Sequence, residues 1–348
     1  MDAGQPAAAP PDRRAHGVDD DYVAGTSVLD HGGDTTSRTG TQQHPDLLTS
    51  GRSARVFAAS GVFPAGCPLT WHSGSRKHSG RIWYERAVTS FEPCLRAPES
   101  VAGRAYVHVV GAAVWIDDRP ADEAWPQHVV GLVDGTCWIA VDVPGGNDPS
   151  DGAAVDLYGF HGRAGEASWL AAGRAVQLVE WGRTHRFCGR CATPTESAPA
   201  ERAMRCPSCR LVAFPRLAPA MITLVMRGDD GPDQEVLLAR GVQWQLPMYS
   251  CLAGFVEPGE SLEAAVVREV REEVGLTVGD VRYRGSQPWP FPHSLMVGFR
   301  ARYVSGDLVL DPTEIADATW HRRDDLPRVP PPISIARRLI DEWCSETP

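Results

Sequence analysis

The sequence predicts an α+β protein with more than one core. Three observations carry this. Short apolar runs of strand character recur between turn-forming clusters. Three helical patterns, at residues 166–184, 261–275 and 334–344, stand apart from those runs. Four cysteines in two close pairs mark a small module between the strand-rich halves. At 348 residues the chain is long enough for two domains plus such a module.

Residues 1–50 are rich in Ala, Pro, Gly, Asp, Ser and Thr and are expected to be a disordered extension. Residues 51–165 are expected to form a β-rich N-terminal domain, with strands at Tyr106–Ile116, Val129–Val133 and Cys137–Val143. The stretch Ser73–Arg81 is basic and rich in small residues, and Pro144–Pro149 is a turn cluster. Leu170, Val176, Leu178 and Trp181 recur at helical spacing, so a helix is expected from Glu166 to about Thr184. It leads into the cysteine module, and together they span 166–216. In residues 217–348, strands are expected at Ala220–Met226, Val236–Ala239, Leu295–Tyr303 and Ala318–Arg322. Ser261 is a natural N-cap and Gly275 a natural left-handed stop for the helix between them. Ser334–Cys344 is the closing helix.

The net charge of −10 argues against a protein that coats duplex nucleic acid, so any RNA contact should be local. No apolar run reaches the ~18 residues of a membrane span, and the first residues lack an apolar signal core. Nine cysteines, of which Cys67, Cys94, Cys137, Cys251 and Cys344 look like ordinary free thiols, fit a reducing cytoplasm.

Three constellations carry chemistry. The first is Gly254 to Leu276, with the spacing G-x5-E-x7-R-E-U-x-E-E-x-G-U, where U is aliphatic. Leu262, Val266 and Val270 give the helix a buried stripe, while Glu269, Glu272 and Glu273 crowd another face. Like charges at that spacing repel; Mg²⁺ or Mn²⁺ reverses the sign, because hard cations seek carboxylate oxygens. A solvated, salt-bridged face is the plainer account of such a run, with Arg268 pairing to Glu272 or Glu260. The second is Cys188-x-x-Cys191 and Cys206-x-x-Cys209, a set that fills the tetrahedral shell of a structural Zn²⁺ and leaves no open position. Ribbons of this kind often bind nucleic acid. The third is Ser286-Gln-Pro-Trp-Pro-Phe-Pro-His-Ser294, whose prolines stiffen the backbone beneath Trp289 and Phe291. Such rings suit a flat heterocycle, with stacking on a base contributing about 1–3 kcal/mol. A packed turn with buried aromatics fits the residues equally well.

The first motif resembles the Nudix box of enzymes that hydrolyse a nucleoside diphosphate linked to another group. The ribbon ahead of it, the S-Q-P-W-P-F-P-x-S run after it and the Pro330–Ile340 tail resemble the NADH pyrophosphatase branch of that superfamily. The resemblance covers roughly half the chain, from about Trp169 to Trp343. It implies an α/β/α Nudix sandwich over 217–348 and cleavage of the diphosphate of NAD(H) to nicotinamide mononucleotide and AMP. It also implies removal of the NAD cap from RNA 5′ ends.

Carried residue by residue, the resemblance places Mg²⁺ or Mn²⁺ on Glu269, Glu273, Glu314 and the carbonyl of Ala253. Glu272 is a further ligand or the proton acceptor. It places the nicotinamide between Phe255 and Trp289 of different subunits, which implies a homodimer with shared active sites. Gln287, Pro288, Trp289, Pro290, Phe291, Pro292, His293 and Ser294 line the substrate, and Glu201, Phe214 and Ala336 add contacts. Phe214 departs from the common tyrosine, so one hydrogen bond worth about 0.5–1.5 kcal/mol is missing. Taken bare, Phe255 also reads as a core residue at a strand end and Glu314 as an exposed loop carboxylate. The expected reaction is metal-assisted hydrolysis without a covalent intermediate. Its rivals are a Nudix hydrolase for another diphosphate, such as ADP-ribose, and an inactive zinc-ribbon module that binds nucleotide or RNA.

Overall fold

The computed structural model describes residues 90–145, 154–244 and 246–346. The expected N-terminal extension, the basic stretch at Ser73–Arg81 and Cys67 lie outside them.

The first sheet has six strands in the order β1-β4-β5-β2-β3-β6. These are β1 (Phe91–Pro93), β2 (Gly103–Val110), β3 (Ala113–Asp117), β4 (Gln127–Val133), β5 (Thr136–Asp142) and β6 (Val155–Asp156). The single strand expected over 106–116 is a hairpin instead. Gly111 takes a φ of 56°, open to a residue without Cβ, and turns β2 back onto β3. Helix α1 (Leu157–Thr184) starts nine residues before the expected Glu166, because Asp156 caps it by accepting from the Gly159 N–H at 2.7 Å. A non-helical Gly165 kinks it. Its apolar side packs on this sheet, and Arg183 ties it there, donating to Asp142 Oδ1 and to the Val109 carbonyl.

The cysteine module carries a three-stranded sheet of β7 (Glu196–Ser197), β8 (Met204–Arg205) and β9 (Val212–Ala213).

The second large sheet runs β13-β14-β10-β11-β15, with β12 also paired to β10. Its strands are β10 (Ala218–Arg227), β11 (Glu235–Gly241), β12 (Leu252–Phe255), β13 (Thr277–Trp289), β14 (Ser294–Ser305) and β15 (Ile315–His321). β10 and β14 are parallel, and the other pairs are antiparallel. Alternation along the strands supplies two apolar faces. Met221, Val225, Val297 and Phe299 meet α2 (Leu262–Val274) through Val266 and Val270. Ala220, Ile222, Leu224 and Met296 belong to the other core, with Leu339 and Trp343 of α3 (Ile335–Ser345). β10 is covered on both sides, which explains its near-continuous apolar run. The α3-side core also takes in α1 and the first sheet.

Candidate active site and cysteine centre

α2 forms where its caps lie. Ser261 accepts from the Ala264 N–H at 3.1 Å, and Gly275 ends the helix with φ 76°. Val309 and Asp311 then donate their N–H groups to the carbonyls of Val274 and Glu273, closing the C-terminal turn. That loop delivers Glu314 toward the helix, where its carbonyl accepts from Val242.

The carboxylates are not a free, solvated set. Glu269 is 9% exposed and Glu273 6%, whereas Glu272 is exposed. Arg268 is the hub: its guanidinium donates to Glu260 (2.6 and 2.8 Å), Glu269 (2.8 Å), Glu272 (3.0 Å) and the Phe255 carbonyl (2.9 Å). Both pairings considered from the sequence therefore occur together. The guanidinium holds Glu260 down to about 2. Burial pushes Glu269 above the usual carboxylate range against the pull of Arg268, and Glu272 and Glu314 push it further. Burial, then Asp311 and Glu272, raises Glu314 in the same way. These groups sense one another's charge, and the Arg268 guanidinium is shared among several of them. A hard divalent cation fits this all-oxygen donor set.

The box glycine has a local reason that spacing alone does not reveal. A Cβ on Gly254 would lie 2.1 Å from Cδ of Glu269. The buried carboxylate rests directly on the β12 backbone, one residue beyond Ala253. Phe255, next along, is half-buried.

The proline-rich run is a β-hairpin tip, with β13 extending through Trp289 and β14 starting at Ser294. Within this chain the aromatics are packed rather than open. Trp289 is 8% and Phe291 5% exposed. Phe291 stacks on Tyr158 of α1 at 4.6 Å, and Trp289 meets Tyr158 and Trp169 edge-on or tilted at 6.0 and 6.3 Å. Pro290 lies against α1, where a Cβ on Gly173 would fall 2.8 Å from its ring. The substrate-lining role expected of Gln287 meets a different geometry. Its amide is buried, donating to the Ile333 carbonyl and accepting from the Ile335 N–H, both at 2.7 Å. It thus satisfies an orphan donor at the start of α3. Ser294 and Ala336 are also buried, and the Ala336 carbonyl faces the Cys251 thiol. Pro288 and Pro292 are exposed, and His293 is half-buried, its imidazole pushed down by burial and by Arg216. Glu201 lies 3.7 Å from Arg205, and Phe214 is 57% exposed.

In the cysteine module all four thiol sulfurs lie within 4.8 Å of one another. Cys188–Cys209 and Cys191–Cys206 are each 3.5 Å apart. Tetrahedral zinc at a Zn–S distance of about 2.3 Å sets sulfurs about 3.8 Å apart, so the cluster fits that ion. The two knuckles repeat one turn. Ala192 and Arg210 donate to the carbonyls of Cys188 and Cys206, and each takes a left-handed φ, 57° and 63°. Amides of Arg190 and Cys209 point at Cys188 and Cys206 sulfurs, 3.4 Å away, and the first of these pulls the Cys188 thiol down.

Family models match both halves of this arrangement: the NADH pyrophosphatase zinc ribbon domain at residues 183–214 and the NUDIX domain at 216–344. A Deinococcus radiodurans protein named NAD-capped RNA hydrolase NudC is 50% identical over 57% of this chain and 70% of its own. The chain belongs to the Nudix family. Proteins of the same name from Pseudomonas aeruginosa and Pseudomonas putida are 56% and 45% identical, over 49% and 62% of this chain and 59% and 76% of their own. A solved Nudix hydrolase from Nitrosomonas europaea is 20% identical over 45% of this chain and 90% of its own, with a TM-score of 0.36. The Nudix and ribbon assignments agree with the α+β architecture and with the thiol cluster.

Proposed function

We propose that this Nudix protein hydrolyses the diphosphate of NAD(H), giving nicotinamide mononucleotide and AMP, and removes the NAD cap from RNA 5′ ends. The observation that carries the proposal is the junction of the two motifs in one chain. A complete box, with its acid cluster held by Arg268, follows a four-thiol ribbon, and relatives named NAD-capped RNA hydrolase are 50%, 56% and 45% identical to this chain. Glu269, Glu273, Glu314 and the Ala253 carbonyl are the proposed holders of Mg²⁺ or Mn²⁺, and the four cysteines hold Zn²⁺. When bound, the divalent ions neutralise the diphosphate and acidify the attacking water. Arg268 orients Glu269 and Glu260; Glu272, exposed and hydrogen-bonded to Arg268, is the proposed proton acceptor. Phe255, the hairpin residues, Glu201, Phe214 and Ala336 remain the proposed substrate contacts. For Trp289 this requires its ring to leave, or be joined at, the packing described above.

A homodimer is part of the proposal. It is supported by Phe187, Phe214 and Leu217, which are 61%, 57% and 59% exposed around the ribbon and invite a second apolar surface. Light scattering on the purified chain should give twice the monomer mass. The free thiols favour a reducing, cytoplasmic setting. No helix among the described residues is long and apolar enough to cross a membrane.

The deciding experiment incubates the purified protein and Mn²⁺ with NADH, NAD-capped RNA and ADP-ribose, resolving products by chromatography. Reduced nicotinamide mononucleotide from NADH and nicotinamide mononucleotide from the capped RNA are the expected result. Preferential turnover of ADP-ribose would favour the rival hydrolase, and binding without turnover would favour the inactive module.

A further inference from the structure

A cavity of about 360 Å³ lies away from the box, on the α3 side of the second sheet. Arg282 and Arg284 of β13, Arg300 and Arg302 of β14, and Arg323 line it, in a chain whose net charge is −10. α2 covers the opposite face of the same sheet, and about 26 Å of strand separates Arg302 from Ser294 at the hairpin tip. The cavity is therefore distinct from the carboxylate site.

Its carboxylates are tied up. Asp230 pairs with Arg302, Asp280 with Arg282 at 2.9 Å, and Glu342 with Arg284. Arg323 is stacked on the Trp343 ring at 4.4 Å. Glu346 places both oxygens on one nitrogen of Arg300, at 2.8 and 2.7 Å. Arg300 is 5% exposed, yet its Nε and Nη2 have no hydrogen-bond partner, Nη2 reaching Glu342 only as an ion pair at 3.6 Å. A buried guanidinium with two unmet donors is costly. Glu342 and Glu346 are each shared between Arg284 and Arg300, and between them they leave these donors without a hydrogen bond. A tetrahedral oxyanion with more acceptors can serve them, and guanidinium forks match phosphate geometry. Burial, and then the nearby Arg300 charge, push the Arg284 guanidinium down against the pull of Glu346. Glu346, at the C-cap of α3 and with its side chain 48% exposed, is an anion that can swing out.

We propose that this cavity binds a phosphoryl oxyanion, displacing Glu346, which acts as a tethered stand-in. The same chemistry can come from a free phosphate-bearing molecule or from the backbone of a bound RNA.

The test is calorimetric titration of the full zinc-loaded chain with inorganic phosphate, without added Mg²⁺ or Mn²⁺, at matched chloride ionic strength. A parallel arm uses a short uncapped oligoribonucleotide with a 5′ hydroxyl. Arg284→Gln should weaken phosphate about tenfold, the loss of a charge-assisted contact. Glu346→Gln should tighten it several-fold, a gain that misfolding cannot mimic. Competition by the oligonucleotide supports the inference with RNA as the source; phosphate binding alone supports it with a small molecule as the source. Absence of both, or phosphate affinity unmoved by Glu346→Gln, overturns it. Because no hydrolysis is read, this result and the proposed reaction fail independently.

Discussion

The thiols of the ribbon and the carboxylates around α2 are both candidate sets of metal donors, held in opposite ways. The four sulfurs converge within 4.8 Å on two copies of the same turn, with backbone amides aimed at two of them. Among the described residues the carboxylates form no comparable cluster. They ring Arg268, and two of them are pushed toward protonation by burial and by their neighbours. A closed site stabilises the fold; a site that keeps charge unsettled until cation and substrate arrive is suited to chemistry.

The contrast can be broken at several points. Glu273→Gln should lower kcat/KM for NADH by orders of magnitude while leaving the melting temperature near that of the parent, because the defect is in cation binding; near-normal turnover would refute the metal role. Cys206→Ser, at a fully buried sulfur, should do the reverse. Zinc measured by elemental analysis should fall well below one per chain, and the ribbon should unfold. Retention of a full equivalent would end the structural-zinc assignment.

Gly254→Ala pushes a methyl into the Glu269 carboxylate, and disturbing a ligand's support typically costs about 10–100-fold in affinity or activity. Manganese titration should show the loss as a higher half-saturating concentration, not merely a lower plateau.

The pH dependence separates the two sites further. Glu269 and Glu314 are raised in the folded state, so the folded chain binds more protons than the unfolded one above the ordinary carboxylate range. Without divalent ions, stability should therefore decline as pH rises through that window, and Mn²⁺ should flatten the slope. A slope unchanged by Mn²⁺ would place the cation elsewhere. The smallest expected effect is Gln287→Leu, which strips a buried acceptor from the Ile335 N–H; a loss of about 1–3 kcal/mol in chemical denaturation is expected. A raised KM alone, at unchanged stability, would instead point to direct contact between Gln287 and the substrate.

Local chemistry was readable in advance. Ser261 and Gly275 bound α2 because caps act over a few residues, and the C-x2-C pairs marked their cluster because ligand spacing is short-range. β10 was visible as an apolar run because both its faces are covered. What depended on distant contacts was not legible. The hairpin at Gly111 hides inside a continuous apolar stretch. Gln287 looked like a substrate donor, yet its partners are 46 and 48 residues away. For Trp289 and Phe291 the sequence left a stacking platform and a packed turn equally open, because nothing in their own segment announces that α1 packs on them. The arginine cavity draws on residues from Asp230 to Glu346, each of which reads alone as ordinary surface charge.

Because Gly173 lets Pro290 settle against α1, and Tyr158 and Trp169 close over the neighbouring rings, the two halves share an oily seam. Cutting the polypeptide at residue 216 to harvest the hydrolase alone would strand an indole and a phenyl group in water. Such a fragment should be sticky and poorly soluble, because the rings that α1 now covers would face solvent.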